Sequence, residues 1–199
     1  RIFCKYKEAE NDKLYDSIDL LNYKAKMSIG ILAVEWGIWR FDGIIDIADG
    51  LQRLEAAWAG NINILYVKKL EIESSVSTHN TDRIKGPVIA LLYFLNSIFK
   101  RYSKGSIYLA QPVMKVCELS RYLSVDKKVF DTWLSEVLRK AHSVFPNEAT
   151  YDEESEYYDA SSEKPVPRAF FEPSFKYSEE ESRKAIDTFL KGLDYTTNP

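Results

Sequence analysis

The strongest pattern in the chain is a run of apolar residues, spaced three or four positions apart, between Leu14 and Phe41. Its members are Leu14, Ile18, Leu21, Ala25, Ile29, Leu32, Trp36 and Trp39. This spacing places the side chains on one face of an α-helix. A helix over the whole stretch would be roughly 40 Å long, at about 1.5 Å per residue. The pattern therefore predicts one long N-terminal helix on which shorter helices pack.

Two glycines, Gly30 and Gly37, lie inside this predicted helix. A glycine in a helix interior costs about 1 kcal/mol relative to alanine. We therefore expect another helix to approach closely at these positions, or the helix to bend near Gly37.

Five further helices are predicted from the same periodicity and from capping signals. They cover about residues 51–70 with a kink at Gly60, the stretch after Gly86-Pro87, residues 107–122, the stretch capped by Asp126, and the stretch after Ser178, where Glu181 completes a capping box. On the helix after Asp126, Val129 and Trp133 are predicted to face the core. No strand pattern accompanies these helices. The sequence thus predicts an all-α, single-domain bundle of about six helices over residues 1–199.

Composition fits an ordinary globular protein, with 45% hydrophobic and 29% charged residues. The most apolar stretch, Val88 to Leu95, gives about half of a membrane span, and no basic stretch followed by an apolar run opens the chain. We interpret Cys4 and Cys117 as free thiols of a reducing compartment, with Cys117 buried on its helix. A soluble, cytoplasmic protein is therefore expected.

Motifs for catalysis or metal binding are lacking in the sequence. His79 and His142 have no third ligand at a suitable spacing, and no HExxH, CxxC, phosphate loop or GxSxG occurs. We therefore expect no catalytic residue, no metal and no cofactor. An acidic isoelectric point without a basic stripe argues against nucleic acid as a ligand.

One combination of aromatic and acidic residues leaves an enzymatic alternative open. Trp36, Trp39 and Trp58 could line a pocket in which Glu35 or Asp42 acts as a general acid or base. Tryptophans at helical spacing more often pack in a core, and Glu35 is expected on the flank of its helix. Core packing is therefore the favoured interpretation of these residues.

The most unusual segment runs from Asn147 to Glu163, with seven acids and no Lys or Arg, so that the rest of the chain sums to +4. It belongs to a longer region, residues 147–177, whose second half is an extended stretch rich in Pro and Phe. Clustered carboxylates attract a basic partner, and tyrosines add contact area at low entropic cost. The predicted partner-binding residues are Asp152, Glu153, Glu154, Glu156, Tyr157, Tyr158 and Asp159. The alternative is a solvated loop without a partner.

Several short stretches together resemble a type of bacterial all-helical protein. They are Trp36-Gly37-Ile38-Trp39-Arg40-Phe41, the stretch Leu54 to Gly60, Gly86-Pro87, Val166-Pro167-Arg168 and Phe171-Glu172-Pro173. These are similar to the small immunity proteins encoded beside secreted polymorphic toxins. The resemblance implies a non-enzymatic inhibitor that binds its cognate toxin protein in the cytoplasm, and it assigns no site residue.

Three functions therefore follow from the sequence as hypotheses. The first is an immunity protein that blocks a toxin, such as a nuclease with a basic cleft, through the acidic segment. The second is a small helical enzyme with the aromatic pocket described above. The third is an adaptor that binds a peptide in a groove between helices, which an exposed apolar groove would support.

Overall fold

The structure is a computed structural model that describes residues 12–67, 85–100, 109–148, 160 and 163–193. These residues form eight α-helices, and no strand is found among them. In chain order the helices are α1 (residues 12–19), α2 (Tyr23–Trp39), α3 (Ala48–Ile62), α4 (Ile64–Val67), α5 (Lys85–Lys100), α6 (Ala110–Leu123), α7 (Lys127–His142), a 3-10 helix (Arg168–Phe171) and α8 (Glu179–Lys191). The prediction of an all-α fold is confirmed.

Helix α2 forms the centre of the molecule. It packs against α3, α5, α6 and α7, and 13 of its 17 residues are buried. Its apolar residues are distributed around the whole helix, which is typical of a helix enclosed by neighbours. Each fully buried Ile or Val contributes about 1.5–3 kcal/mol, so α2 supplies much of the driving force for folding.

The two glycines of α2 lie where side chains of α5 pack directly on the helix backbone. A Cβ atom added at Gly30 would stand 2.4 Å from Ile98 Cδ1, and one added at Gly37 would stand 2.6 Å from Leu91 Cδ1. Both separations are far below a van der Waals contact between carbons, so a larger residue would force the Ile98 or Leu91 side chain to shift. The prediction of close helix approach is confirmed at both positions.

The prediction of one continuous helix from Leu14 to Phe41 was wrong. The chain leaves the helical conformation at residues 20–22, where the Asn22 amide donates to the Phe145 carbonyl (3.0 Å) and Leu21 pairs with Pro146 in an antiparallel bridge. The Asn22 side chain then caps α2 by accepting from the Ala25 amide (2.9 Å). Contacts with residues distant in sequence therefore end α1, although the local apolar periodicity continues through the break.

A buried lysine holds α1 against α2. The Lys26 side chain is almost completely buried, and its ammonium donates to the Asp19 carboxylate at 2.8 Å. Burial lowers the pKa of Lys26, and the bond to Asp19 opposes that change. This ion pair keeps the two helices together across the break.

A second helix is also shorter than predicted. The helix expected over residues 51–70 with a kink at Gly60 ends instead at Ile62, and α4 follows after Asn63. The Asn63 side chain accepts a hydrogen bond from the Leu65 amide (3.0 Å), which starts the new helix. The two breaks account for eight helices where about six were predicted.

Two predicted helix caps are confirmed. The Asp126 carboxylate accepts from the Lys128 amide at 2.8 Å at the start of α7, and Ser178 Oγ accepts from the Glu181 amide at 3.1 Å at the start of α8. These short polar side chains satisfy amide groups that have no partner within the helix. Local chemistry is therefore sufficient to fix these two helix starts.

Residues 163–177, here called the strap, cross the helices and carry the 3-10 helix. Phe170 is fully buried in an aromatic cluster with Phe145, Phe171, Phe175 and Tyr177, with ring centroids 5.0–6.4 Å apart. Such edge-to-face contacts add to the stabilisation from burial. The cluster fixes the strap on the bundle.

Candidate functional site

One face of the central helix α2 is only partly covered. Its four residues that are not buried are Leu32, Glu35, Trp36 and Trp39. Their spacing of i, i+3, i+4 and i+7 places them on a single face. All four line an open groove with a volume of about 780 Å³. We call this the tryptophan groove.

A second wall of the groove comes from the start of α7 and the residues before it. Val125 and Val129 are exposed, and Trp133, one turn after Val129, is partly buried beside them. The prediction that Val129 faces the core was wrong, and Trp133 reaches the core only in part. The core-facing stripe of α7 is formed by Phe130, Leu134, Val137, Leu138 and Ala141, and Val129 and Trp133 form a second apolar stripe beside it.

The strap forms the third wall. Phe171 and Pro173 line the groove, and the Arg168 guanidinium forms an ion pair with the Glu35 carboxylate of α2. The Lys140 ammonium donates to the backbone carbonyl of Glu172 at 2.7 Å, which ties the strap to α7. The wall is therefore held to both helices that form the rest of the groove.

Aromatic contacts and one hydrogen bond fix the base of the groove. Trp36 packs on Trp133 with ring centroids 4.6 Å apart and on Phe130 at 5.5 Å. Its Nε1 donates to Ser124 Oγ at 2.9 Å. Trp39 remains half exposed. The groove thus offers a rigid aromatic floor and an accessible indole at one end, features that are common in binding sites for apolar ligands.

The pocket proposed as an enzymatic alternative is not formed as predicted. Trp58 is 2% exposed and lines a separate groove of about 570 Å³ between α3, the strap and α8. Arg168 and Glu172 line both grooves, so the 3-10 helix is the ridge between them. Asp42 lies outside the lining of the tryptophan groove.

Glu35 does lie beside Trp36, as the enzymatic alternative requires. Its carboxylate is engaged by the Arg168 guanidinium. This arrangement therefore favours a structural role for Glu35, in which it holds the strap to α2.

Other potential chemistry in the structure is limited. Within the described residues no three His, Cys, Asp or Glu side chains lie close enough together to hold a metal ion. Cys117 is buried, and burial raises the pKa of its thiol to about 12, so it stays protonated and unreactive. None of the described helices is both long enough and apolar enough to cross a membrane.

The predicted partner-binding residues of the acidic segment lie outside the described residues. They are Asp152, Glu153, Glu154, Glu156, Tyr157, Tyr158 and Asp159. Both described ends of the segment are attached at the junction of α1 and α2. The Asn147 amide donates to the Leu20 carbonyl (2.8 Å), and the Glu163 carboxylate accepts from the Tyr23 and Lys24 amides (2.9 and 2.8 Å). Glu163, one of the seven acids, therefore caps α2.

The sequence placed Trp36 and Trp39 in a pocket only in the enzymatic alternative, and the favoured prediction of core packing is wrong for the half-exposed Trp39. The other two walls were not predicted. Val129 could have been recognised because α7 has more apolar residues than one buried stripe needs. The contribution of Phe171 and Pro173 had no local signal, since it depends on where the strap crosses the bundle.

Comparison of the chain with protein-family models, curated proteins and solved structures found no match. The geometry of the groove and the chemistry of its residues are therefore the basis for a functional proposal.

Proposed function

We propose that the protein is a non-enzymatic protein-binding domain whose tryptophan groove binds an amphipathic helix of a partner protein. The observation that carries this proposal is the single open face of α2. Leu32, Trp36 and Trp39 are the only apolar residues of this helix that are not buried, and all three line the groove. An entering helix would cover the central helix on its remaining side.

A helix is the occupant that fits the groove walls best. Leu32, Trp36 and Trp39 form an apolar stripe along α2, and Val129 and Trp133 form a second, shorter apolar stripe along α7. Two neighbouring helices with such stripes leave a groove into which the side-chain ridge of a third helix can pack. Helix-in-groove complexes use apolar anchors at i, i+3 or i+4, and i+7.

The groove exposes residue types that contribute strongly to the affinity of protein interfaces. Tryptophan is enriched among the interface residues that contribute most to affinity, and such residues lie in pockets that exclude water on binding. Trp39 is 50% exposed and Val129 is 54% exposed. Burial of these side chains under a partner would recover apolar area that the isolated chain leaves in water.

Selection from a displayed library of short helical peptides tests the proposal. We expect the selected peptides to share large apolar residues at i, i+3 or i+4, and i+7, and to change the tryptophan fluorescence on binding. Three of the four tryptophans line the groove. The substitution Val129→Glu should weaken binding at least about tenfold, because it places a charge against the apolar face of the peptide.

Matched variants separate the groove from exposed apolar surface in general. Leu65 is 53% exposed and Tyr93 is 50% exposed, and neither lines the groove. Leu65→Glu is therefore the control for Val129→Glu, and Tyr93→Ala is the control for Trp39→Ala. Equal binding by Val129→Glu and Leu65→Glu, or the absence of any selected peptide that depends on Val129, would overturn the proposal.

The narrower function implied by the sequence resemblance is inhibition of a cognate bacterial toxin. In this form of the proposal, the acidic segment contacts a basic cleft of the toxin while the groove binds one of its helices. A gene for a large secreted protein next to the gene of this chain would supply the toxin to be tested. Its activity should be inhibited by the chain, and binding should weaken with salt.

The contribution of the acidic segment has its own test with that toxin. The combined substitution of Asp152, Glu153, Glu154 and Glu156 by their amides removes four charges without changing side-chain size. Weaker binding and a smaller salt dependence are expected. Unchanged affinity would remove the acidic segment from the interface and leave the groove proposal intact.

A further inference from the structure

The charged side chains around the tryptophan groove differ in how far other groups of the chain neutralise them. Five charged side chains line it, namely Glu35, Arg40, Asp126, Arg168 and Glu172. Glu35 and Arg168 form an ion pair with each other across the groove, between α2 and the strap. Their opposite charges cancel at short range, so neither requires a partner from a bound helix.

The other two acids also have compensation within the chain. The Asp126 carboxylate accepts from the amides of Lys128 (2.8 Å) and Val129 (3.4 Å) at the positive end of α7. The Lys140 ammonium donates to the backbone carbonyl of Glu172 at 2.7 Å, which places a positive charge near the Glu172 carboxylate without a direct ion pair. Burial lowers the pKa of Lys140, and the negative charge of Glu172 counteracts this, as expected for close neighbours.

Arg40 lacks even these forms of compensation. It is exposed directly after α2, next to the half-exposed Trp39, and within the described parts of the chain its guanidinium forms neither an ion pair nor a hydrogen bond. The negative end of the α2 dipole is a favourable site for a cation, but it does not engage the guanidinium N–H groups. A carboxylate can accept two of these donors at once.

We infer that the helix bound in the tryptophan groove carries an acidic side chain beside its apolar face, and that this carboxylate pairs with Arg40. The inference rests on the proposed function and names the chemistry of the partner at that site. Arg40 then sets the register and the direction of the bound helix, because only one placement brings the acid to the Trp39 end of the groove. A basic helix is disfavoured at the same position by repulsion.

Parallel selections on two proteins test the inference. Helical peptides selected on the wild type should carry Asp or Glu at one fixed position beside the apolar stripe, and those selected on Arg40→Glu should carry Lys or Arg there. A peptide selected on the wild type should bind Arg40→Glu about tenfold more weakly. Replacement of its acid by lysine should restore binding to Arg40→Glu and weaken binding to the wild type.

Arg183→Glu is the matched control for a general effect of charge. Arg183 is also exposed and makes no ion pair among the described residues, and it does not line the tryptophan groove. If Arg40→Glu and Arg183→Glu weaken binding equally, or if the selected peptides show no charge preference, the inference is overturned. The proposed function still stands in that case, provided that Val129→Glu abolishes binding. If binding does not depend on Val129, both fail.

Discussion

The two opposite sides of α2 differ in how closely the rest of the chain packs on them. On one side Gly30 and Gly37 leave room for the Ile98 and Leu91 side chains of α5, which an added Cβ would displace. On the other side Leu32, Trp36 and Trp39 carry large side chains into a groove that no element of the described chain fills. The same helix is thus closely packed by α5 and α6 on one side and lines the open tryptophan groove on the other.

This difference shows how one helix can serve both folding and binding. The glycine side stabilises the fold through close packing within the chain, and the loss of a contact there lowers the free energy of unfolding. The tryptophan side keeps apolar area available to a partner, at the cost of leaving it in water. Substitutions on the glycine side should therefore change stability, and those on the tryptophan side should change binding.

The largest effect is expected for Gly37→Val on the closed side. The new Cβ would lie 2.6 Å from Leu91 Cδ1 and 3.0 Å from Ser120 Oγ, so the side chains of Leu91 and Ser120 must shift out of their packed positions. We expect a loss of about 3 kcal/mol in the free energy of unfolding, measured by urea denaturation. Gly192→Val is the control, because no atom of the described residues would lie closer than 3.5 Å to its Cβ. Wild-type stability of Gly37→Val would show that the closed side is not tightly packed.

A smaller loss is expected for Ser120→Ala, also on the closed side. Ser120 is fully buried, and its hydroxyl donates to the Ala33 carbonyl of α2 at 2.6 Å. Removal of this bond between helices should cost about 1 kcal/mol. Ser135→Ala is the comparison, because the Ser135 hydroxyl makes a similar bond to the Asp131 carbonyl on an exposed surface. Equal stability of the two variants would contradict a special role for the buried bond.

On the open side, Glu35→Gln should change stability by about 0.5 kcal/mol at most. It breaks the ion pair with Arg168, in which the arginine side chain is 43% exposed and the glutamate 16%, and pairs that solvent reaches contribute little. The difference from wild type should become smaller in about 0.5 M salt, because salt screens the exposed part of the pair. Glu136→Gln, which breaks the exposed pair with Arg139, is the control. A loss that persists in high salt would indicate that the strap depends on Glu35 for its position.

The smallest effect on stability is expected for Val129→Ser. Val129 is exposed in the groove, so its loss should leave the free energy of unfolding within about 0.5 kcal/mol of wild type, while peptide binding weakens. Val137→Ser, on the buried stripe of the same helix, should cost about 2 kcal/mol. If both variants are equally destabilised, Val129 is part of the core and the groove is not an open site.

Much of the fold could be predicted where local chemistry decides the structure. The caps at Asp126 and Ser178 are formed by side chains within three residues of the amides that they bind. The glycines of α2 predicted close packing because they have no other advantage inside a helix. These features depend on short stretches of sequence, and the structure agrees with them.

The break between α1 and α2 could not be predicted in this way. Leu21 continues the apolar period, and the residues that end α1 there are Phe145, Pro146 and Glu163, far along the chain. The set of residues that line the groove could not be predicted for the same reason. The sequence suggests that Trp36, Trp39 and Trp58 could line one pocket, but the fold places Trp58 in a different groove. Pairings of this kind depend on tertiary structure.

The attachment of Asn147 and Glu163 at the α1–α2 junction has a consequence for how this protein can evolve. Asn147 is bound to Leu20, and Glu163 is bound to Tyr23 and Lys24, so the chain is fixed at both of these points. Doubling the length of a flexible connection between two fixed points costs only about 0.6 kcal/mol in closure entropy. We therefore expect changes of length or sequence within residues 149–159 to alter the stability of the bundle by less than about 1 kcal/mol, which would let this part of the chain diversify faster than the core.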